Sequence, residues 1–529
     1  MRVLKLIVLS LAGLCLTGLD VLAQDGPFGY FNDALRFSTT SPGGTARIKA
    51  IGGAQVSLGG DASLAGSNPA GLGFFNRSTF TFTPAMNFYN AESDFLDESN
   101  SSFRTRFNLP QIGVVLNRTK PSTSSTGFRG GSFAITIGRT NDFNNQVEYV
   151  GFNNQNSIID SFIEFAGQTD PADLGGFEGI AYDHFLIDLA DFDSDIDYFF
   201  DEETNIIIPN DGDGTFEGYG SLLGAFGGSL PRQTETIRTT GGQSQVNLAW
   251  GGNYSDRFYF GGGIGIATIN YRQERTYIED QFAFDDGTLD DVINSIVIED
   301  ELDVEGTGIN ASIGVIVRPV RFLTVGLSYT SPTIYSINEE SLFNFTTNWS
   351  ERYAYALPDD TVALGQIITQ SDIQVAEYNL RTPSRLNLGS TFFFGKSGFL
   401  SADVEFVDYS TASLRTSDFR EQADNDVIAD SYQSVFNVRL GGEFRIDQFR
   451  LRAGYSHLAD PIKDNTFDGS ITDLSLGLGF RDQNYFIDVA VINRTSDNNF
   501  SPYSLAADQP VADISNSATS ALLTFGFVF

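Results

Sequence analysis

His184 and His457 are the chain's whole supply of imidazole. A serine-type hydrolase needs a histidine beside a nucleophile and an acid. His457 follows Ser456 and stands close to Asp460. Neighbours in a strand point to opposite faces, so Ser456 and His457 make no dyad. His184 lies beside Asp183 in the longest inter-strand stretch and would need an acid from another loop. The chain therefore reads as a non-enzyme. With so few imidazoles, a transition-metal site is not expected, and neither is a cofactor. Asp191, Asp193, Asp195 and Asp197 alternate, and Asn210–Glu217 reads NDGDGTFE. Calcium is one use for such acids, but the aspartate run lacks the glycine and bidentate acid of a standard calcium loop. A solvated acidic face is the default for both. A third constellation mixes signs: Asp403, Glu405, Arg439, Glu443, Arg450, Arg452 and Asp488 fall on neighbouring strands. They read as an ion-pair ladder across a barrel wall. The alternative is that Arg450 or Arg452 holds a ligand carboxylate, at about 1.5–3 kcal/mol per charged hydrogen bond.

The elements that must position these residues begin with composition. The 529 residues carry 32 Lys+Arg against 67 Asp+Glu, a formal charge of −35. That excludes a phosphate-backbone partner, which needs a basic surface. It also speaks against a basic patch for anionic lipid. Aromatics at 13% with 54 Gly suit an all-β chain with tight turns rather than a disordered acidic one. The start, MRVLKLIVLSLAGLCLTGLDVLAQ, has two early cations, an apolar run and Val21-Leu22-Ala23. It reads as a signal peptide over 1–23, cleaved after Ala23. Cys15, the one cysteine, leaves with it. The apolar run is too short to span a bilayer. A membrane location then requires a closed barrel, which satisfies strand backbones in lipid.

Strand periodicity supports that barrel. In Arg321–Thr330, Leu323, Val325, Leu327 and Tyr329 oppose Thr324, Gly326, Ser328 and Thr330. The polar face throughout is Gly, Ser, Thr and Asn, with few long charges. A solvated outer face would carry Lys and Glu, so the small residues are read as lining a lumen and the apolar ones as facing lipid. Fourteen strands are expected near 78–90, 109–118, 131–145, 244–253, 257–273, 306–317, 321–335, 384–394, 398–410, 435–446, 448–458, 471–481, 484–495 and 518–529. Most of the links alternate tiny and long, as periplasmic turns and outer loops do. The expected outer loops are about 146–243, 276–304 and 336–383. The last strand, ALLTFGFVF, ends on Phe529. It resembles the signal read by the barrel-assembly machinery of Gram-negative bacteria, which would place the chain in the outer membrane.

Ahead of the strands stands GGDASLAGSNPAGLG, Gly59–Gly73. With Gly52-Gly53-Ala54 and the strand SADVEFVDYS, it resembles the FadL/TodX family of outer-membrane transport proteins, in a Bacteroidetes-type branch. The resemblance implies a fourteen-stranded antiparallel transmembrane β-barrel over 78–529 with an N-terminal hatch, 24–77, folded into the lumen. It makes Asn68, Pro69, Ala70 and Gly71 the hatch motif. It implies passive uptake of hydrophobic small molecules such as long-chain fatty acids or aromatic hydrocarbons, by a monomer contacting outer-membrane lipid. The family's route leaves sideways through a kinked strand, for which Pro84 is the candidate, since proline removes a ladder donor. The alternative is that 25–77 form a periplasmic tail. The outer loops mix apolar and acidic residues at spacings compatible with short helices, in HFLIDLADFDSDIDYFFDEE and LDDVINSIVIEDELD. Phe185, Ile187, Leu189, Phe199 and Phe200 suit a ligand groove, or equally the loop's own core. Some relatives in this family serve a secretion apparatus, so a non-transporting structural or docking barrel is the second reading.

Overall fold

The computed structural model describes residues 28–41, 43–119, 127–190, 198–201, 206–209, 218–221, 231–282, 292–356, 361–464 and 467–529. One antiparallel sheet closes on itself in fourteen staves. They are β1 Thr79–Phe95, β2 Glu98–Thr119, β3 Phe128–Asp142 continued by Asn145–Phe152, β4 Arg232–Tyr254, β5 Phe258–Asp280 and β6 Ile293–Val320. Next come β7 Leu323–Thr330 with Ile334–Trp349, and β8 Gln366–Gln370, Gln374–Arg381 and Arg385–Phe393. The rest are β9 Gly398–Asp408 with Ser413–Arg415, β10 Ser434–Ile446, β11 Phe449–Leu458, β12 Ile471–Arg481, β13 Tyr485–Phe500 and β14 Ala512–Val528. Each pairs with the next, and Thr79 of β1 closes the ring on Val528 of β14. Among the described residues no helix is long and apolar enough to cross a membrane, which says nothing of strands.

The faces follow the alternation. Ile313, Leu388, Leu400, Leu474, Leu476 and Leu478 are exposed on the outside. Asn310, Ser328, Asn387, Asp403 and Ser475 are buried on the inside. A free apolar outer band with a filled polar interior is what a bilayer requires of a barrel.

All fourteen expected strands are present, but several run much further on the long-loop side. Residues 91–108, expected as a connection, are strand: β1 and β2 join at Leu96-Asp97, both at positive φ (48° and 65°), a two-residue hairpin turn. The expected loops 146–243, 276–304 and 336–383 begin and end in strand for the same reason. LDDVINSIVIEDELD is not helical over its described part; Ile293 onward belongs to β6. In the acidic run near His184, Ile187–Ala190 and Tyr198–Asp201 are short strands, not helices. The aspartates at 191, 193, 195 and 197, the run Asn210–Glu217 and the signal segment 1–23 lie outside the described residues.

Candidate functional site

The described residues 28–41 and 43–75 pack against inward-facing residues of the wall. They hold α1 Phe31–Ser38, α2 Ala46–Lys49 and two 3-10 turns, Ala62–Gly66 and Pro69–Phe74. Each turn is set by a local cap. Thr45 accepts from Ile48 N, Asp61 from Ser63 N, and Asn68 from Ala70 N. Pro69 occupies the first helical position, where its missing N–H costs nothing. The Asn68 amide also donates to Val56 O at 2.6 Å, tying two arms of the segment together.

This segment rests on wall glycines. A Cβ at Gly314 would overlap the Asn68 side chain, and one at Gly454 would overlap the backbone of Ile51 and Gly52. Gly261, Gly326 and Gly441 meet the backbone of Pro69, Val56 and Ile51 in the same way. Missing side chains therefore make room for main chain. Asp403 fixes the middle of the segment by accepting from the N–H groups of Gln55 (2.6 Å) and Val56 (2.8 Å). Ser57 and Thr391 share a hydrogen bond of 2.6 Å.

The charged wall residues form two knots. Arg439 meets Glu405 at 3.0 Å, and Arg385 meets the same oxygen at 3.3 Å. Arg452 bridges Glu443 (2.7 Å) and Asp488 (2.6 Å), with all three side chains at most 3% exposed. Arg47 of α2 reaches Glu443 at 3.8 Å, so one knot touches the inner segment. Asp403 stands apart from the pairs, bonded to main chain instead. Arg450 does not join either knot: it donates to Asp447 O and Phe449 O at the turn. Its place at the strand end, one turn from water, is the reason. Arg452 is saturated by two carboxylates, so neither arginine is set up for a ligand carboxylate.

Pro84 does not mark a break in the wall. It produces a register shift between Thr83 and Ala85, and pairing resumes on both flanks. The break lies between β2 and β3. Their pairing runs from Thr119↔Gly130 up to Gln111↔Gly138 and stops. Above that point residues 98–108 pair only with β1, and Leu109 and Pro110 fall in the register shift opposite Pro84. β3 keeps its bond to β4 through a bulge at Arg139/Asn141 and turns inward behind β1 and β2. Ser93 Oγ donates to Glu148 O at 2.7 Å, and Arg104 donates to Asn145 O at 3.1 Å across the seam. Pro110 sits where the pairing ends; this proline was the available signal in the sequence. Behind the seam is a cavity of about 180 Å³ lined by Ser41, Lys49, Asn108, Asp142, Asp473 and Arg494 among others.

A second cavity, about 410 Å³, lies above α1. Its walls include Asp33, Glu235, Asp300, Glu301, Glu339 and Asp418 against Arg36 and Arg275. Between the two cavities stand Phe37, Phe143 and Tyr271, packed edge to face at 5.3–6.1 Å. Phe143 occupies the interruption in β3 itself.

The outer cap is a small core of its own. α3 Ile158–Ala166 starts with a capping box of Ser157 and Asp160. Buried Glu279 accepts from Ile158 N, Gln233 and Tyr277 at 2.7–2.8 Å. Ile187 is 1% exposed within the cap core, and Phe185 packs on Tyr355 at 4.7 Å. These two therefore build the cap rather than an open groove; Leu189 alone of the described candidates is exposed. The side chains of Phe199 and Phe200 lie outside the described residues. His184 sits between Thr347 and Thr369 hydroxyls at 3.1 and 2.8 Å, and burial pushes its pKa down to about 4. His457 meets Thr472 at 3.4 Å, while Ser456 faces the seam cavity.

No protein-family model matches the chain, and no curated protein matches it. Solved structures do. The toluene transporter TodX of P. putida is 12% identical with a TM-score of 0.50, over 92% of this chain and 99% of that one. A Pseudomonas aeruginosa FadL homologue is 11% identical with a TM-score of 0.51, over 93% and 99%. A TodX deltaS2S3 mutant monoaromatic hydrocarbon channel gives 12% and 0.50, over 92% and 99%. The class is thus an outer-membrane-type antiparallel barrel, and within it the chain has the FadL/TodX fold.

Proposed function

We propose that the protein is an outer-membrane channel for passive uptake of hydrophobic small molecules, with residues 28–77 as its hatch. The observation that carries this reading is the unpaired seam between β2 and β3, with a cavity behind it. A bare strand edge in hydrocarbon is costly, several kcal/mol per unsatisfied group. A barrel free to choose would close it. Cargo enters the upper cavity, passes the Phe37–Phe143–Tyr271 constriction and leaves sideways through the seam, without an energy source. The acidic lining of the upper cavity disfavours anions, so uncharged molecules are the expected cargo over fatty-acid anions. The neighbours named for toluene and monoaromatic hydrocarbons transport cargo of this kind. Localisation in the outer membrane, which the barrel fold supports, assembly by the barrel machinery and the signal peptide over 1–23 belong to the same proposal.

The second reading, a docking barrel without transport, draws on the tightly seated inner segment. Two experiments separate them. Protein purified in mild detergent is extracted and its hydrophobic guests identified by mass spectrometry. Uptake of labelled toluene is then compared in cells with and without the gene. Co-purified guests and slower uptake in the deletion strain support the channel; an empty extract and unchanged uptake support docking.

A further inference from the structure

The net charge of −35 hides an asymmetry between the two ends of the barrel. Every junction on the short-turn side has an Arg or Lys, in the turn itself or on a flanking strand. Arg118 ends β2, Arg257 lies in the β4–β5 turn and Arg321 in the β6–β7 turn. Lys396 lies in the β8–β9 turn, Arg450 follows the β10–β11 turn, and Arg481 ends β12. Among the described residues, Arg118, Arg257, Arg321 and Lys396 are exposed and pair with no carboxylate. The acids at this end are few: Asp256 is taken by Arg129, and Asp447 and Asp482 remain. Next to these cations the outer surface carries exposed rings, among them Phe258, Phe322, Phe394, Phe449 and Tyr485. Aromatic rings of this kind settle at the level of lipid headgroups.

We infer that this end of the barrel is a cationic ring that holds the phosphate headgroups of anionic phospholipids in the periplasmic leaflet. The distribution decides between a lipid and a protein partner. A docking surface concentrates its charge on one side, whereas these cations are spread around the whole circumference at the height of the aromatic belt. A surrounding leaflet is the only partner that touches all of them. Short turns keep the guanidinium groups near the membrane plane. A Lys or Arg at an anionic surface is attracted by an amount equivalent to about fivefold in binding. Net charge alone speaks against a basic lipid contact, but on this reading the acids are gathered at the other end.

The test uses the full chain reconstituted in vesicles of phosphatidylcholine alone and of equal parts phosphatidylcholine and phosphatidylglycerol. Native mass spectrometry of the released protein counts retained lipids of each kind. Wild type is expected to retain phosphatidylglycerol preferentially, with the preference weakened by high salt. Replacing Arg257, Arg321 and Lys396 with Gln is expected to lower the preference by about fivefold per residue. Equal retention of the two lipids by wild type overturns the inference without any variant. So does an unchanged preference in a triple variant that still migrates as a folded barrel. If an acidic periplasmic protein is the partner instead, phosphatidylglycerol gives no preference and a soluble acidic protein co-sediments. The readout uses no cargo, so a negative result leaves the uptake proposal standing.

Discussion

The wall from β8 to β13 and the wall between β2 and β3 solve opposite problems. On the first, the inner segment lies on glycines, is fastened by Asp403 to two N–H groups and is backed by the Glu443–Arg452–Asp488 knot. Pairing is continuous there from β8 to β14 in the lower half. On the second, pairing stops at Gln111 and a cavity lies behind it, lined by Asn108, Asp142, Asp473 and Arg494 among apolar residues such as Ile492 and Leu522. The same barrel thus fastens its inner segment by charged and main-chain bonds on one wall and leaves the upper part of another wall unstitched. The difference gives the proposed channel its logic: an exit through the seam would not require the inner segment to leave.

The strongest way to break this contrast is to remove the seat. In Gly454→Val, on β11, the new side chain collides with the backbone of Ile51 and Gly52 of the inner segment. The expected outcome is an unseated segment, read as ion conductance in planar bilayers where wild type has none, and as new protease cleavage within 28–77. Next in size is the charged knot. Arg452→Met leaves Glu443 and Asp488 buried without their shared cation, which costs roughly 3–5 kcal/mol. The temperature at which the folded band is lost in a heat-shift gel is expected to fall markedly, and far less for Arg450→Met, which touches only turn carbonyls.

The seam side is tested by Asn108→Trp, which fills the cavity mouth where Asn108 meets Asp142 at 2.8 Å. Uptake is expected to drop to the level of the deletion strain while the heat-shift behaviour stays as in wild type. The smallest effect concerns the cap. His184 has a folded pKa of about 4 against an unperturbed 6.5, so the folded cap binds the proton less well than the opened one. The His184 contribution to cap stability is complete above pH 6.5 and is lost as pH falls from there towards 4. Protease cutting near residues 184–190 is expected to rise across that window, and His184→Phe is expected to flatten the dependence.

How much of this was legible in the sequence varies with distance from the lipid. Within the bilayer, Leu323–Tyr329 and Ile309–Val317 show strict alternation because lipid and lumen impose different chemistry on successive residues. All fourteen staves could be found that way. Above the bilayer both faces of a strand are wet or packed, and the alternation fades. RQTETIRTT in β4 and IVIEDELDV in β6 are strand, but nothing in their pattern forces it. Opposite charges on adjacent staves suggested an ion-pair ladder without its partners; the Arg439–Glu405 and Arg452–Glu443 pairs come from the structure. Arg450 shares their alternation, and its place at the strand end separates it from them. The seam was hidden because residues 91–108 read as a connection; as strand, Phe103, Phe107 and Leu109 face outward in alternation, and Pro110 marks the missing donor. The triad of Phe37, Phe143 and Tyr271 joins three distant segments and has no local signature.

The most direct measurement locks the plug and asks whether cargo still passes. Ser57 and Thr391 hydroxyls stand 2.6 Å apart across the boundary between inner segment and wall, and the chain's one native cysteine, Cys15, lies in the expected leader. A Ser57→Cys/Thr391→Cys variant can therefore be oxidised to tie the segment to β8. Toluene uptake should be the same oxidised and reduced, and should vanish when Asn108→Trp is added. Uptake that stops on oxidation and returns on reduction would mean that cargo leaves past a displaced plug, and the seam would not be its exit.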